Sequence, residues 1–246
     1  MGFLFRKLRF ENIKYAKSYK YFKYAIGEII LVVIGILIAL QVNNWNEDRK
    51  SNRREILLLK NVLGSLERDS ILIEDIDSKI TSIQYLNKSI ENYLVSNITE
   101  DSITKLEYIR RALVFSPVTK INHPELSNEV SHLDLKTTIR AYYQSIDNLQ
   151  FTITHFNEFQ ETVLRPALRE GFAHNYSFRY NDEIKTPQNV ENLINKEKFL
   201  ELIKDPKFQQ ILFEWKVKAM AIGFVLDSIK IENLEFQKEV VKILQP

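Results

Sequence analysis

Apolar residues follow two patterns along this chain, one unbroken run and three stripes spaced alternately by three and four. The run is Ala25 to Val42, interrupted only by Gly27, Glu28, Gly35 and Gln41. As a helix it is roughly 27 Å long, against about 30 Å for the hydrocarbon core of a bilayer. A transmembrane helix over residues 25–45 is therefore expected. Tyr21, Phe22 and Tyr24 stand at one end and Trp45 at the other, where aromatic rings suit the two headgroup layers. Lys20 and Lys23 join Tyr24 and Trp45 as the expected membrane-anchoring set. A signal peptide would have a shorter apolar stretch with small residues at a cleavage site, and Leu40 to Trp45 offers none.

The first stripe is Ile56, Leu59, Leu63, Leu66, Ser70 and Ile73, resumed after a phase slip by Ile76, Ile80, Ile83, Leu86, Ile90 and Tyr93. Sparse Gly and Pro predict one continuous helix from about Asn43 to Val95. The second is Leu135, Ile139, Tyr142, Ile146, Leu149, Ile153 and Phe156, extended by Phe159 and Val163 until Pro166 and Gly171 close it. The third runs Phe208, Leu212, Trp215, Ala219, Ile222, Leu226, Ile229, Asn233, Phe236, Val240 and Ile243. Only Asn233 breaks its apolarity, at an a position of the heptad. There it either finds a partner across the seam and sets bundle register or partner number, or marks the end of the packed region and faces water. If it is paired, leucine in its place is expected to raise stability while loosening control of partner number or register.

Three such stripes can satisfy one another. The expected fold is all-α, the transmembrane helix continuing into an elongated, coiled-coil-like helical bundle. The parts are an arm over 1–24, interfacial through Phe3, Leu4, Phe5 and Leu8, then the anchor over 25–45 and the bundle over 46–246. Between the stripes, 101–114 suits a short helix with Ile103, Leu106, Ile109 and Leu113 inward, and 116–124 a loop held open by Pro117 and Pro124. An aromatic loop with Phe172, Tyr176, Phe178 and Tyr180 follows. Thr186 and Pro187 then begin a helix that Asp205 and Pro206 interrupt and restart.

Charge orients the anchor. Arg6, Lys7, Arg9, Lys14, Lys17, Lys20 and Lys23 precede it against a single acid, Glu11; Arg49, Lys50, Arg53 and Arg54 follow it. The positive-inside rule makes the N-terminus cytoplasmic and the bundle extracytoplasmic. A net charge of +2 gives no global field for nucleic acid, so the lipid bilayer is the expected partner of the basic arm. The chain has no Cys, which excludes disulfides, thiol nucleophiles and Cys-ligated metals.

The segment from Lys23 to Trp45, followed by Asn46, Glu47 and a basic stretch, resembles the signature of a family of uncharacterised single-pass membrane proteins of Gram-negative bacteria, a domain of unknown function. Leu133 to Tyr143 is similar to a leucine-rich stretch ending in paired tyrosines that such proteins carry. The resemblance implies an envelope location, here the inner membrane with a periplasmic domain, and no activity.

Candidate chemistry is sparse. There is no Gly-rich phosphate loop and no HExxH, and His155 with Glu158, or His123 with Glu125 and His132, are pairs that helix and loop decoration explains. No cofactor, metal or catalytic group is expected, and the chain reads as no enzyme. Two readings remain open: an envelope protein acting in interaction, sensing or scaffolding with a protein partner, and a homo-oligomeric channel or transport-associated protein. The second rests on Glu28, Gly35 and Ala39, which fall within roughly 20° of one line along the helix. Gly35 and Ala39 form a small-xxx-small pair, and a carboxylate near lipid prefers a partner. Glu28 equally suits the headgroup layer beside Lys23 at the start of the helix.

Overall fold

The structure, a computed structural model, describes residues 3–96, 99–175 and 193–245, with the backbone alone for 3–25, 96 and 100. The fold is all-α; among the described residues the one bridge is an isolated pair, His174 with Ile194. Contacts divide the chain into two units, Met1–Leu57 and Leu58–Pro246. One helix, α1 (Phe3–Ser96), supplies residues to both.

In the first unit α1 carries an apolar window of mean hydropathy 2.3, none of it buried inside the protein. Among the described residues it is the helix long and apolar enough to cross a membrane.

The second unit is built on three long helices: α1 from Leu58 onward, α4 (Leu133–Phe159) and α7 (Pro206–Leu244). Asn233 lies beside Leu66, Lys230 beside Asp77, and Lys216 beside Glu91, so α7 runs antiparallel to α1. Tyr142 meets Phe236 and Phe156 stacks on Trp215, so α7 is antiparallel to α4 as well. Hence α1 and α4 are parallel, and the described stretch 99–132 lies between them in the chain. In α4 and α7 the heptad residues, Leu135 to Phe156 and Phe208 to Val240, are buried as their spacing demands, joined in α4 by Ser145.

The α1 stripe needs correction. Its buried line is Leu59, Val62, Leu66, Asp69, Ile73, Ile76, Ile80, Ile83, Asn87 and Ile90, with three and four alternating throughout. No phase slip occurs. A carboxylate occupies a position that a wholly apolar line would skip; Leu86 is buried beside Asn87, while Leu63 and Ser70 sit beside the line, half-buried.

The second stripe is also altered at its end. Gln160–Leu164 form a π-helical turn in which Arg165 N–H donates to Gln160 O, five residues back. The extra residue turns Gln160, Leu164 and Leu168 inward and leaves Val163 exposed. Pro166 does not close the segment, because the wider turn just before it accommodates the missing N–H; the chain continues through α5 (Arg165–Glu170) to Gly171.

Residues 101–114 are not a helix. Two 3₁₀ turns, Glu100–Ser102 and Leu106–Arg110, flank Lys105 at φ 62°, and the chain then runs extended to Pro117. Ile103, Leu106, Ile109 and Leu113 are buried all the same. The backbone finds its partners on side chains of α4 and α5: Leu113 N–H and C=O both pair with the Asn157 amide at 2.9 and 2.7 Å, Arg110 O accepts from Arg165, and Phe115 O from Gln150. The expected open loop 116–124 holds a short helix, α2 (Val118–Asn122), followed by α3 (Leu126–Glu129). Further on, Asn195 caps α6 (Lys196–Leu202) and Asp205 caps α7, whose first residue is Pro206. Tyr176, Phe178, Tyr180, Thr186 and Pro187 lie outside the described residues.

Candidate functional site

A polar centre lies where α1, α2, α4 and α7 meet. Asp69 is fully buried. Its Oδ1 accepts from Val118 N–H, and its Oδ2 accepts from Thr119 N–H at 3.2 Å and from the Tyr142 hydroxyl at 2.9 Å. Pro117 stands at the N-cap of α2 and has no side chain able to cap it. Asp69, 49 residues before Val118, supplies the acceptors that a local Ser or Asp would otherwise give.

Asn233, buried to 2%, continues the network. Its Nδ2 donates to Tyr142 Oη at 3.0 Å and to Leu66 O at 3.3 Å, and its Oδ1 accepts from Ser70 Oγ and from Gln237 Nε2, each at 2.6 Å. It does not face water. All its partners are within the chain, and they place α7 against α1 and α4 at one register. Burial, reinforced by the Asp69 charge, pushes the Tyr142 hydroxyl well above the usual tyrosine range, while the bond from Asn233 acts the other way. Tyr142 therefore stays a proton donor to Asp69. The Tyr143 hydroxyl, which donates to His123 O, is raised for the same first reason, with Asp69 and Glu129 adding to it.

A second cluster gathers cations at the far end of α4. Arg165 pairs with Glu161 and donates to Arg110 O at 2.7 Å. Burial, then Arg110, Arg165 and Arg169, hold His174 below the usual imidazole range, which keeps it neutral over most of the physiological range. Nearby, the buried Gln160 amide, with its nitrogen toward Arg111 O at 3.3 Å and its oxygen toward Trp215 Nε1 at 3.1 Å, joins the extended segment to α7.

On its outer side α7 carries a second line at heptad spacing: Phe213, Val217, Met220, Phe224, Asp227, Ile231, Leu234, Lys238 and Val241. By position it lies roughly 145° around the helix from the buried line. The seven apolar members are all exposed. Cavities of about 460, 230 and 170 Å³ follow one another between this line and α1, touching Phe213, then Met220 and Phe224, then Leu234.

Of the residues expected to matter at the membrane, Glu28, Gly35 and Ala39 are exposed along α1, and a Cβ added at Gly35 would meet nothing within 4 Å. Trp45 is exposed, with the Arg49 guanidinium 5.5 Å from its ring centroid. The side chains of Lys20, Lys23 and Tyr24 lie outside the described residues. His155 contacts Glu158 at 3.5 Å on an exposed face, and among the described residues no group of three or more His, Cys, Asp or Glu converges.

Comparison with known proteins bears on the stretch from the anchor to α3. Residues 28–132 match DUF6090, a family of unknown function. The DUF6090 match takes in Glu28, Gly35, Ala39, Trp45 and Asp69 and stops one residue short of α4, so Tyr142 and Asn233 lie beyond it. No curated protein and no solved structure matches the chain.

The residue that sequence reasoning missed is Asp69. Its signal was present, since Leu66 and Ile73 leave a vacancy at 69 in a strict alternation. Spacing alone does not admit a charge to a core position, because a buried carboxylate needs donors, and these come from segments remote in sequence.

Proposed function

We propose that this chain is a single-pass protein of the bacterial inner membrane, N-terminus cytoplasmic, whose periplasmic helical unit works by binding protein and not by catalysis. The observation that carries the reading is the apolar window of α1, which the protein leaves wholly unburied. Such a surface is tolerable in lipid and costly in water. The excess of Lys and Arg before the window supports the orientation. The exposed heptad line of α7 supports the binding role, because regular apolar spacing on a free face suits another helix.

The test has two parts. Alkaline carbonate should leave the chain in the membrane pellet, and a cysteine at position 12 should react only from the cytoplasmic side. A photo-crosslinking residue at Phe224 should give a discrete protein adduct in cells. Extraction into the soluble fraction refutes the anchor; a clean membrane protein with no adduct from any α7 position refutes the binding role.

A further inference from the structure

We infer that Arg110, Arg165, Arg169 and His174 form a binding site for a doubly charged oxyanion, the chemistry of a phosphate group. This goes beyond the protein-binding role and does not rest on it.

Three chain segments meet here. Arg110 ends the turn Leu106–Arg110, Arg165 and Arg169 lie one helical turn apart on α5, and His174 follows α5 directly. The π-helical turn prepares the first meeting, because the residue it adds turns Leu164 and Leu168 inward and carries Arg165 and Arg169 together beside that line. The Arg165 guanidinium then lies against the backbone of Arg110, donating to its O at 2.7 Å. A backbone reversal brings in the third segment. Phe172 stands at φ 55°, where glycine is usual, and its N–H donates to Arg169 O at 3.1 Å while Ala173 N–H donates to Leu168 O at 2.9 Å. The chain thus folds back at the end of α5 and sets His174 within reach of all three arginine charges.

The cluster is short of negative charge. Among the described residues, Glu161 pairs with Arg165 and is the acid whose charge reaches Arg110. Arginine does not shed its proton, and like charges one turn apart on a helix repel, so three guanidiniums against one carboxylate hold a cost that a bound anion relieves. The surplus suits a dianion better than a carboxylate.

Hydrogen bonding points the same way. Arg110 Nε, Arg165 Nε and His174 Nε2 are buried from solvent with no hydrogen-bond partner, and they are three of the five such atoms among the described residues. Buried polar atoms are nearly always paired, so three orphans from three segments in one cluster call for a ligand that accepts from several sides. The Nη1 and Nη2 of Arg165 already serve Glu161 and Arg110 O, which leaves its Nε–H to offer. Guanidinium N–H groups match the geometry of phosphate oxygens, and His174, held neutral, adds a hydrogen bond without a further charge.

The test uses full-length protein in detergent and inorganic phosphate as the probe. Equilibrium dialysis against radiolabelled phosphate, in chloride at constant ionic strength, should show saturable binding of a single phosphate per chain, with sulfate competing and acetate weaker by about tenfold or more. Arg110→Gln and Arg169→Gln should each weaken binding by roughly tenfold or more, the loss of one charge-assisted contact, with helical circular dichroism unchanged. Arg169 is exposed, so its variant does not threaten the fold, and Lys238→Gln, an exposed cation on α7, should bind as the unaltered chain does. Short-chain phosphatidic acid in the same detergent tells the source: if it displaces the label at lower concentration than free phosphate does, the ligand is a lipid headgroup, and if at higher concentration, a soluble phosphate. Absence of saturable binding overturns the inference, as does acetate binding as well as phosphate, or undiminished binding in both arginine variants.

Discussion

Asp69→Ala is expected to destabilise the helical unit by about 3–5 kcal/mol, although the side chain removed is small. Three donors lose their acceptor together, the N–H groups of Val118 and Thr119 and the hydroxyl of Tyr142. A hydrogen bond to a charged group is worth about 1.5–3 kcal/mol, so three bonds amount to about 4–9, reduced because the desolvation cost of the buried carboxylate is removed with it. For a unit of this size each kcal/mol moves the melting temperature by about 2–4 °C, giving a fall of about 6–20 °C. Asp69→Asn keeps the shape but turns an NH₂ group toward an N–H or hydroxyl donor in either orientation, and should cost about 1–3 kcal/mol. The chain has two tryptophans, and Trp215 is fully buried against Phe156, so its fluorescence in a Trp45→Phe background follows unfolding of full-length protein in detergent. Hydrogen exchange at Val118 and Thr119 should rise in Asp69→Ala more than at Leu113, whose partner is Asn157. A melting shift under about 3 °C, or equal exchange at all three amides, would refute the assignment of Asp69 as the remote cap of α2.

The other predictions concern the same unit. Asn233→Leu should lower stability by about 2–3 kcal/mol, the reverse of what its heptad position alone suggests, because Ser70, Gln237 and Tyr142 stay behind without it; a more stable variant in urea titration would show that the network relaxes freely. Tyr142→Phe and Asp69→Ala should be non-additive by at least about 0.5 kcal/mol in a double-mutant cycle, since both break one shared bond. Asn157→Ala should cost about 1–3 kcal/mol and raise exchange at Leu113, and an unchanged Leu113 amide would count against the pairing. His174 has its folded value lowered, so below the unfolded imidazole value of about 6.5 the unfolded chain takes up a proton that the folded one resists. Its contribution is therefore fully present above that value and is lost as pH falls through it toward the depressed folded one. His174→Gln should flatten this acid slope in pH-dependent melting, and superimposable profiles would refute it.

Much of the architecture follows from spacing alone. The unbroken run at Ala25–Val42 requires an apolar environment for a helix, and the heptads of α4 and α7 fix which face of each is buried, because 3.6 residues per turn leaves one consistent face. The cap at Asp205 is equally local, its side chain reaching the Lys207 N–H; the cap at Asn195 is as short-ranged but runs against the sequence reading, which begins that helix at Thr186 and Pro187 whereas α6 starts at Lys196. Tertiary structure alone decided the rest. Residues 111–117 run extended after the Leu106–Arg110 turn because Asn157 and Gln150 satisfy their backbone and Arg165 that of Arg110, and no local propensity encodes a partner some 35 to 55 residues away. Asp69 is tolerable in the core because Val118, Thr119 and Tyr142 arrive around it, and Asn233 is committed to α1 and α4 for the same reason. Periodicity says which side of a helix is inside. It cannot say which polar groups meet there, because that depends on the order in which the chain returns its helices to one another.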